Sequence, residues 1–205
     1  MFTLLTMSDL RTRILECALD LYLEQGLTGL SMRHVGDRLG VSATAIYRHY
    51  RNKEDLLNNV IGEAVKIFGI YLFQALSGES PQERYRLSGE AYLEFALRKS
   101  KYYEMIFMTS GKSQAADLPE DSRRQSMATF QFLADRVQEC MECGHFRKDD
   151  VPAVALCIWS HTHGLVSLYL RGQLALDEDA FRAFYWESHA RLLNGLTGSR
   201  NPSVP

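Results

Sequence analysis

Three features predict an all-α chain with a three-helix helix-turn-helix DNA-binding head and a larger helical ligand-binding and dimerisation body. Apolar residues recur at helical spacing along most of the chain, beginning with Ile14, Leu15, Ala18, Leu19, Leu21 and Tyr22. Glycines stand where such runs stop, at Gly26, Gly40, Gly144 and Gly172. No stretch alternates convincingly as a strand would, and there is no internal repeat or low-complexity tract.

The elements follow in order. Asp9–Gln25 is an amphipathic helix that Gly26 stops. Leu27–Leu30 is a linker, and Ser31 is placed to cap Met32–Leu39, whose inner face carries Val35 and Leu39. Gly36 inside that helix costs about 1 kcal/mol against alanine. Close crossing by the next helix, as a helix-turn-helix requires, accounts for it. Leu39-Gly40-Val41 has the pattern of a helix end and turn, and Ser42 caps a second short helix. Around its one aliphatic anchor, Ile46, stand Thr44, Tyr47, Arg48, His49, Tyr50, Arg51 and Lys53. Small residues at the front and phosphate-seeking donors behind suit entry into a DNA major groove. Ala43 and Ala45 allow close approach. Thr44 offers a methyl and a hydroxyl to base edges, and Arg48 a bidentate fork to guanine.

Glu54–Leu76 reads as one long apolar-striped helix, and Ser77–Pro81 as a break. Helices follow at Gln82–Lys99, Ser122–Cys143, Val151–Arg171 and Asp177–Leu196. Tyr102–Met108 is a short aromatic segment, Thr109–Asp121 a polar loop, and 197–205 a flexible tail. The division expected is 8–53 for the head and 54–196 for the body.

The chain has 205 residues, 46% hydrophobic and 23% charged, enough for one large or two modest cores. No apolar run approaches the ~20 residues a bilayer demands, so no membrane association is expected. MFTLLTMSDLR lacks a basic n-region and a cleavage site, which points to the cytoplasm. Met7 offers a second start, with 1–6 a loose extension. The net charge is −2, which argues against random coating of nucleic acid. The distribution matters more. Between Ser31 and Lys53 stand Arg33, Arg38, Arg48, Arg51 and Lys53 against Asp37 alone, five to one or +4. A focused positive patch fits site-directed DNA binding.

With these residues in view, the segment RILECALDLYLEQGLTGLSMRHVGDRLGVSATAIYRHYRNKEDLL, Arg13 to Leu57, resembles the N-terminal domain of the TetR family of transcriptional repressors. The shared pattern is Gly26, Leu30-Ser31, Gly40-Val41-Ser42, Ile46–Tyr50 and Asn52–Leu57. Alanine usually occupies the position of Gly36, and the resemblance implies that the turn tolerates either. It further implies that Tyr47, His49 and Lys53 hold phosphates, with contacts added by Ser31, Arg33 and Ser42. Only Arg11 and Arg13 precede the motif, so a minor-groove arm is not expected.

The partners implied are an operator duplex, a second copy of the chain and a small apolar or aromatic ligand. One short reading helix makes few contacts, and two-fold pairing sets half-sites ~34–36 Å apart. The helices 151–171 and 177–196 form the expected dimer face. Helix 54–76 would join head to body, so that ligand binding alters head separation. Candidate ligand contacts are Phe68, Tyr71, Tyr92, Phe95 and Tyr103, with Phe107, Phe130, Trp159 and His163. Trp159 and His163, four apart, should stack, and Gly164 should permit close helix approach. Trp159-His163-Gly164 resembles a Trp-His-Gly signature of one subfamily.

Other chemistry has less in its favour. Cys140, Cys143 and His145 invite a zinc reading, with His161 and His163 as further donors, but a lone pair of cysteines at a helix end is the pattern of packing. No metal or cofactor is expected, and free thiols are the default for Cys17, Cys140, Cys143 and Cys157. No nucleophile motif such as Gly-x-Ser-x-Gly accompanies His163, so no catalysis is expected. A metal- or redox-responsive sensor and an inducer-free DNA-binding protein remain as alternatives.

Overall fold

The computed structural model describes residues 9–108 and 120–197. The extension 1–6, most of the polar loop and the tail beyond Thr197 lie outside them. Among the described residues the chain is helical, with no strand: α1 Leu10–Gly29, α2 Met32–Leu39, α3 Ala43–Tyr47, α4 Lys53–Phe73, α5 Pro81–Arg98, α6 Ser100–Phe107, α7 Glu120–Glu142, α8 Val151–Leu170 and α9 Glu178–Thr197. A 3-10 turn, Gln74–Ser77, follows α4. The chain divides into two compact units, one of residues 1–67 and 101–126, the other of 68–100 and 127–205.

The first unit is the head with α6 added. Gly26 breaks α1 as its position predicts, at φ 69° and ψ −163°. Ser31 then caps α2, its hydroxyl accepting the His34 N–H at 3.1 Å. Gly40 ends α2 in the left-handed region at φ 68°. Ile14, Ala18, Leu21, Leu30, Val35, Ile46, Leu56, Val60 and Ala64 are fully buried in one cluster, and Met105 of α6 joins it. Tyr50 is buried too, and its hydroxyl donates to the Arg11 carbonyl at 3.2 Å. The Arg11 guanidinium lies over the Tyr50 ring, 5.4 Å from its centre.

Gly36 is held more tightly than the family pattern implies. A Cβ there would lie 2.8 Å from the Val41 carbonyl oxygen. The Val41 N–H also donates to the Gly36 carbonyl at 2.9 Å. Backbone meets backbone, so nothing flexible is available to yield. In this chain the turn is fitted to glycine and does not take either residue equally.

The second unit packs the end of α4, α5, most of α7, α8 and α9. Capping is local and legible: Ser80 accepts from Glu83 N–H, and Asp150 from Ala153 N–H at 2.7 Å. Tyr85, Val137, Cys140, Phe146, Ala155 and Ile158 are core residues of this unit. Helix α9 is braced on α5 by hydrogen bonds inside that core. The Tyr185 hydroxyl donates to the Gly89 carbonyl at 3.0 Å, and Tyr85 Oη pairs with His189 Nε2 at 2.9 Å. Gly89 makes room, because a Cβ there would meet the Trp186 ring at 3.4 Å.

Two expectations change. Gly164 does not mediate a close approach among the described residues: a Cβ there meets nothing within 4 Å. And two helical stretches, Lys53–Ser77 and Val151–Leu170, are long and apolar enough to cross a membrane by length and composition. Asn58, Asn59, Glu63 and Lys66 interrupt the first and Ser160–Gly164 the second, without making either helix polar on average. Within its most apolar window the first is 44% buried inside the chain, as befits a helix with Val60 and Ala64 in the core.

The brace makes a pH prediction. Burial, with a smaller contribution from His161, holds the His189 imidazole down at about 4 against an ordinary 6.5. The unfolded chain therefore binds the proton first as pH falls. Stability is full above pH 6.5 and is lost progressively toward about pH 4. The loss attributable to this residue is at most roughly 3 kcal/mol. His189→Phe, which keeps the stacking but cannot titrate, should flatten the decline in melting temperature between pH 7 and pH 4.5. Parallel pH curves for the two proteins would show that His189 is not responsible.

Candidate functional site

The stretch after Gly40 is built to present side chains outward. Ser42 caps α3 by accepting the Ala45 N–H at 3.2 Å. Ile46 is fully buried and Tyr50 nearly so, and these two residues fasten the turn to the head. Helical hydrogen bonding continues past α3, with His49 and Tyr50 N–H both donating to the Ile46 carbonyl. The remaining side chains face away from the core. Thr44, Tyr47 and Arg48 are exposed, whereas Ala43, Ala45 and His49 are half-buried. Tyr47, more than half exposed, is a large aromatic left uncovered within the chain. Tyr50 thus serves packing, while the outward face carries the small and donor residues that base and phosphate contact needs.

Charge is distributed less simply than the count of five to one suggests. Arg38 is latched to Glu24 by two hydrogen bonds of 2.7 Å. Arg51 lies 3.6 Å from Asp55 and Arg33 3.9 Å from Asp37. Glu24 and Asp55 fall outside the Ser31–Lys53 window, so the local sequence sum missed them. The Arg33–Asp37 pair is exposed and weak, so Arg33 can turn to a phosphate at small cost. Arg48 and Lys53 meet no carboxylate among the described residues. Lys53 instead donates to the Leu27 carbonyl at 3.0 Å, which ties the start of α4 to the last turn of α1, where residues 27–29 are helical and not the linker their sequence suggested. Ser31 is half-buried, and its O–H remains a donor beyond the capping bond.

The body's aromatic candidates do not form one group. Phe68, Tyr71, Tyr92 and Phe95 cluster in the second unit, with Phe68 at 5.7 Å from Tyr92 and 4.8 Å from Phe95, and Tyr71 at 5.5 Å from Phe95. Trp159 stacks on His163 at 5.3 Å and 21°, as the four-residue spacing predicts. Tyr92 Oη lies 3.2 Å from His163 Nδ1, joining α5 to α8. On the other side His163 Nε2 is 3.4 Å from Ser167 Oγ. Ser167 escaped sequence reasoning, although its i+4 spacing from His163 was the available signal. Phe130 packs against the Tyr85 core instead. Tyr103 and Phe107 belong to the first unit, where their rings are 4.9 Å apart.

The cysteines diverge. Cys140 is buried, its thiol directed to the Pro81 carbonyl, and burial pushes its pKa up to about 12. The Cys143 thiol donates to the carbonyl of Cys140 in its own helix, and His145 stacks on Phe146. Among the described residues no three metal-ligating side chains converge.

A helix-turn-helix head on an all-helical body defines a DNA-binding transcription regulator. Comparison with known proteins makes the class specific. A family profile described as "Bacterial regulatory proteins, tetR family" matches residues 14–60. A second, "Tetracyclin repressor-like, C-terminal domain", matches 86–190, half of the chain. The chain belongs to the TetR family of transcription regulators. Its relatives include the HTH-type transcriptional repressor KstR2 of Mycolicibacterium smegmatis, 24% identical over 93% of this chain and 92% of that protein. Among solved structures, a Rhodococcus sp. RHA1 protein of unknown function aligns with TM-score 0.80 at 20% identity, over 96% of this chain and all of the other. KstR2 of Mycobacterium tuberculosis, described as a ketosteroid transcriptional regulator, aligns with TM-score 0.62 at 18% identity, over 94% and 97%.

Two substitutions separate the roles on the outward face. Arg48→Ala should cost ~1–3 kcal/mol of binding and relax base preference at defined positions. Lys53→Ala should weaken all sequences alike and lower the salt slope by ~1. Quantitative binding to selected DNA at several salt concentrations checks both. Wild-type discrimination in the two variants would mean that another surface reads the duplex.

Proposed function

We propose that this chain is a homodimeric repressor that occupies a two-fold operator and leaves it when a small apolar ligand binds the body. The observation that carries the reading is the outward face of Ser42–Lys53, anchored from below by Ile46 and Tyr50. Ser31, Arg33, Ser42, Tyr47, His49 and Lys53 supply phosphate contacts, and Ala43, Thr44, Ala45 and Arg48 lie against the bases. Residues 8–53 act as the reading head and 54–196 as the ligand-binding and dimerising body. Repressor action is supported by the similarity to KstR2, itself a repressor by name. The site of action is the cytoplasm.

Pairing through α8 and α9 is supported by apolar surface that the single chain leaves uncovered. Only 28% of the most apolar window of α8 is buried within the chain. Leu156 and Leu168 on α8, Leu176 after it and Phe184 on α9 are all exposed. Gly164, open on the same helix, would let a second α8 come close. Covering such surface yields about 25 cal/mol per Å², the usual drive for obligate pairing. Ligand release requires the ligand to bind the released form more tightly than the DNA-bound form, with a coupling of typically 1–3 kcal/mol. The helix α4 spans the 67/68 boundary between the units and α7 the 126/127 boundary, and both are covalent routes for that coupling.

Selection of bound duplexes from random pools should return two half-sites related by a two-fold axis, about one helical turn or a multiple apart. Leu168→Glu combined with Phe184→Glu should yield a monomer by analytical ultracentrifugation and lower operator affinity at least ~100-fold. A dimeric double variant with full affinity would refute the α8–α9 interface.

A further inference from the structure

The ligand-released reading leaves the chemistry of the ligand open. The row Tyr92–His163–Ser167 in the second unit bears on it. Its three polar tips come from two helices, α5 and α8, and meet at 3.2 and 3.4 Å. Around them the walls are aromatic. Phe68 stands edge-on to Tyr92, Phe95 packs against Phe68, and Trp159 lies over the imidazole. Tyr92 itself is 6% exposed. An apolar enclosure with a few convergent polar groups is the usual form of a small-molecule site.

We infer that this site takes an uncharged apolar molecule with one hydrogen-bonding oxygen, a ketone or an alcohol, docked on the Tyr92–His163 pair, and that it rejects the corresponding carboxylate. The inference rests on the ligand-released reading above. The first reason is that the row has no net charge to offer. An imidazole held between two hydroxyls donates from one nitrogen and accepts at the other, as the neutral ring does. Burial, with a smaller repulsion from Arg171, keeps the His163 pKa below its ordinary 6.5. Arg171 itself lies eight residues on, about 12 Å along the helix, and is exposed.

Second, four guanidinium groups of this unit are committed elsewhere. Arg84 and Arg136 both hold Glu139, at 3.0 and 2.6 Å. Arg182 holds Glu94 and Glu178, and Arg98 reaches the same two carboxylates. A carboxylate brought to the row would shed its hydration, and among the described residues no guanidinium is hydrogen-bonded to the row to replace it. Third, the row is reversible. Moving the imidazole proton from one nitrogen to the other reverses both hydrogen bonds, so the same groups can donate to a carbonyl or accept from a hydroxyl.

Matched pairs test this on the full chain at pH 7.5: 2-acetylnaphthalene against 2-naphthoate, and 2-tridecanone against dodecanoate. Affinity is read by equilibrium dialysis. For the aliphatic pair it is also read by Trp159 fluorescence in a Trp186→Phe background. In at least one pair the ketone should bind tenfold or more tightly than its carboxylate. Tyr92→Phe and His163→Leu should each weaken that ketone about fivefold or more, the ordinary worth of one hydrogen bond. His163→Gln, which keeps a donor and an acceptor, should restore part of the loss, and unchanged circular dichroism separates these effects from misfolding. Equal or tighter binding of the carboxylates overturns the inference. So does ketone affinity indifferent to all three variants, or no ketone binding at all. If the ketone binds as expected but selected operator DNA stays bound, the inference stands and the release mechanism falls.

Discussion

The head rests on a contact between two stretches of backbone. The Val41 carbonyl oxygen occupies the place where a side chain on Gly36 would begin, and the Val41 N–H bonds back to the Gly36 carbonyl. That contact sets how closely the chain folds back after α2. Gly40 supplies the left-handed step, Ser42 restarts the helix, and Ile46 and Tyr50 anchor its underside. Once those anchors are buried, helical geometry leaves Thr44, Tyr47 and Arg48 no direction but outward. On the proposed function, the residues offered to the duplex are ones the core does not use.

The second unit follows a different rule. Its core contains polar groups, each with a specific partner: Tyr185 on the Gly89 carbonyl, Tyr85 on His189, Tyr92 on His163. Such partners fix how α5 meets α8 and α9 more sharply than aliphatic packing alone, since a misplaced helix would leave buried polar atoms unpaired. Two side-chain atoms among the described residues, Arg147 Nε and His189 Nδ1, are buried with no hydrogen-bond partner, and the second belongs to this core. The desolvated His189 ring is where acid acts on the fold. Leu156 and Leu168 of α8 and Phe184 of α9 remain exposed, on the surface proposed above to pair.

Much of this was legible in the chain itself. Capping residues and glycines act over three or four positions, so Ser31, Gly26, Gly40 and Ser42 announced the helix-turn-helix without tertiary information. The Trp159–His163 stack was legible for the same reason. What was not legible depends on distant partners. Arg38 counted as part of a positive patch until Glu24, fourteen residues earlier, appeared as its mate. Phe130, Tyr103 and Phe107 looked equivalent to Phe68 and Phe95, because aromatic content does not say which core a ring enters. Gly164 suggested a close approach, and only the fold shows that no described residue comes within 4 Å of a Cβ there.

The central claim is that the outward face of α3 lies in a major groove in each half of a paired molecule. A photocrosslinker on Thr44→Cys, with Cys143 and Cys157 replaced by serine, addresses it directly on selected operator DNA. The account predicts efficient crosslinks to bases, at two positions symmetric about the operator centre and about one turn or a multiple apart. Crosslinks confined to a single site, or to the sugar–phosphate backbone alone, would contradict it.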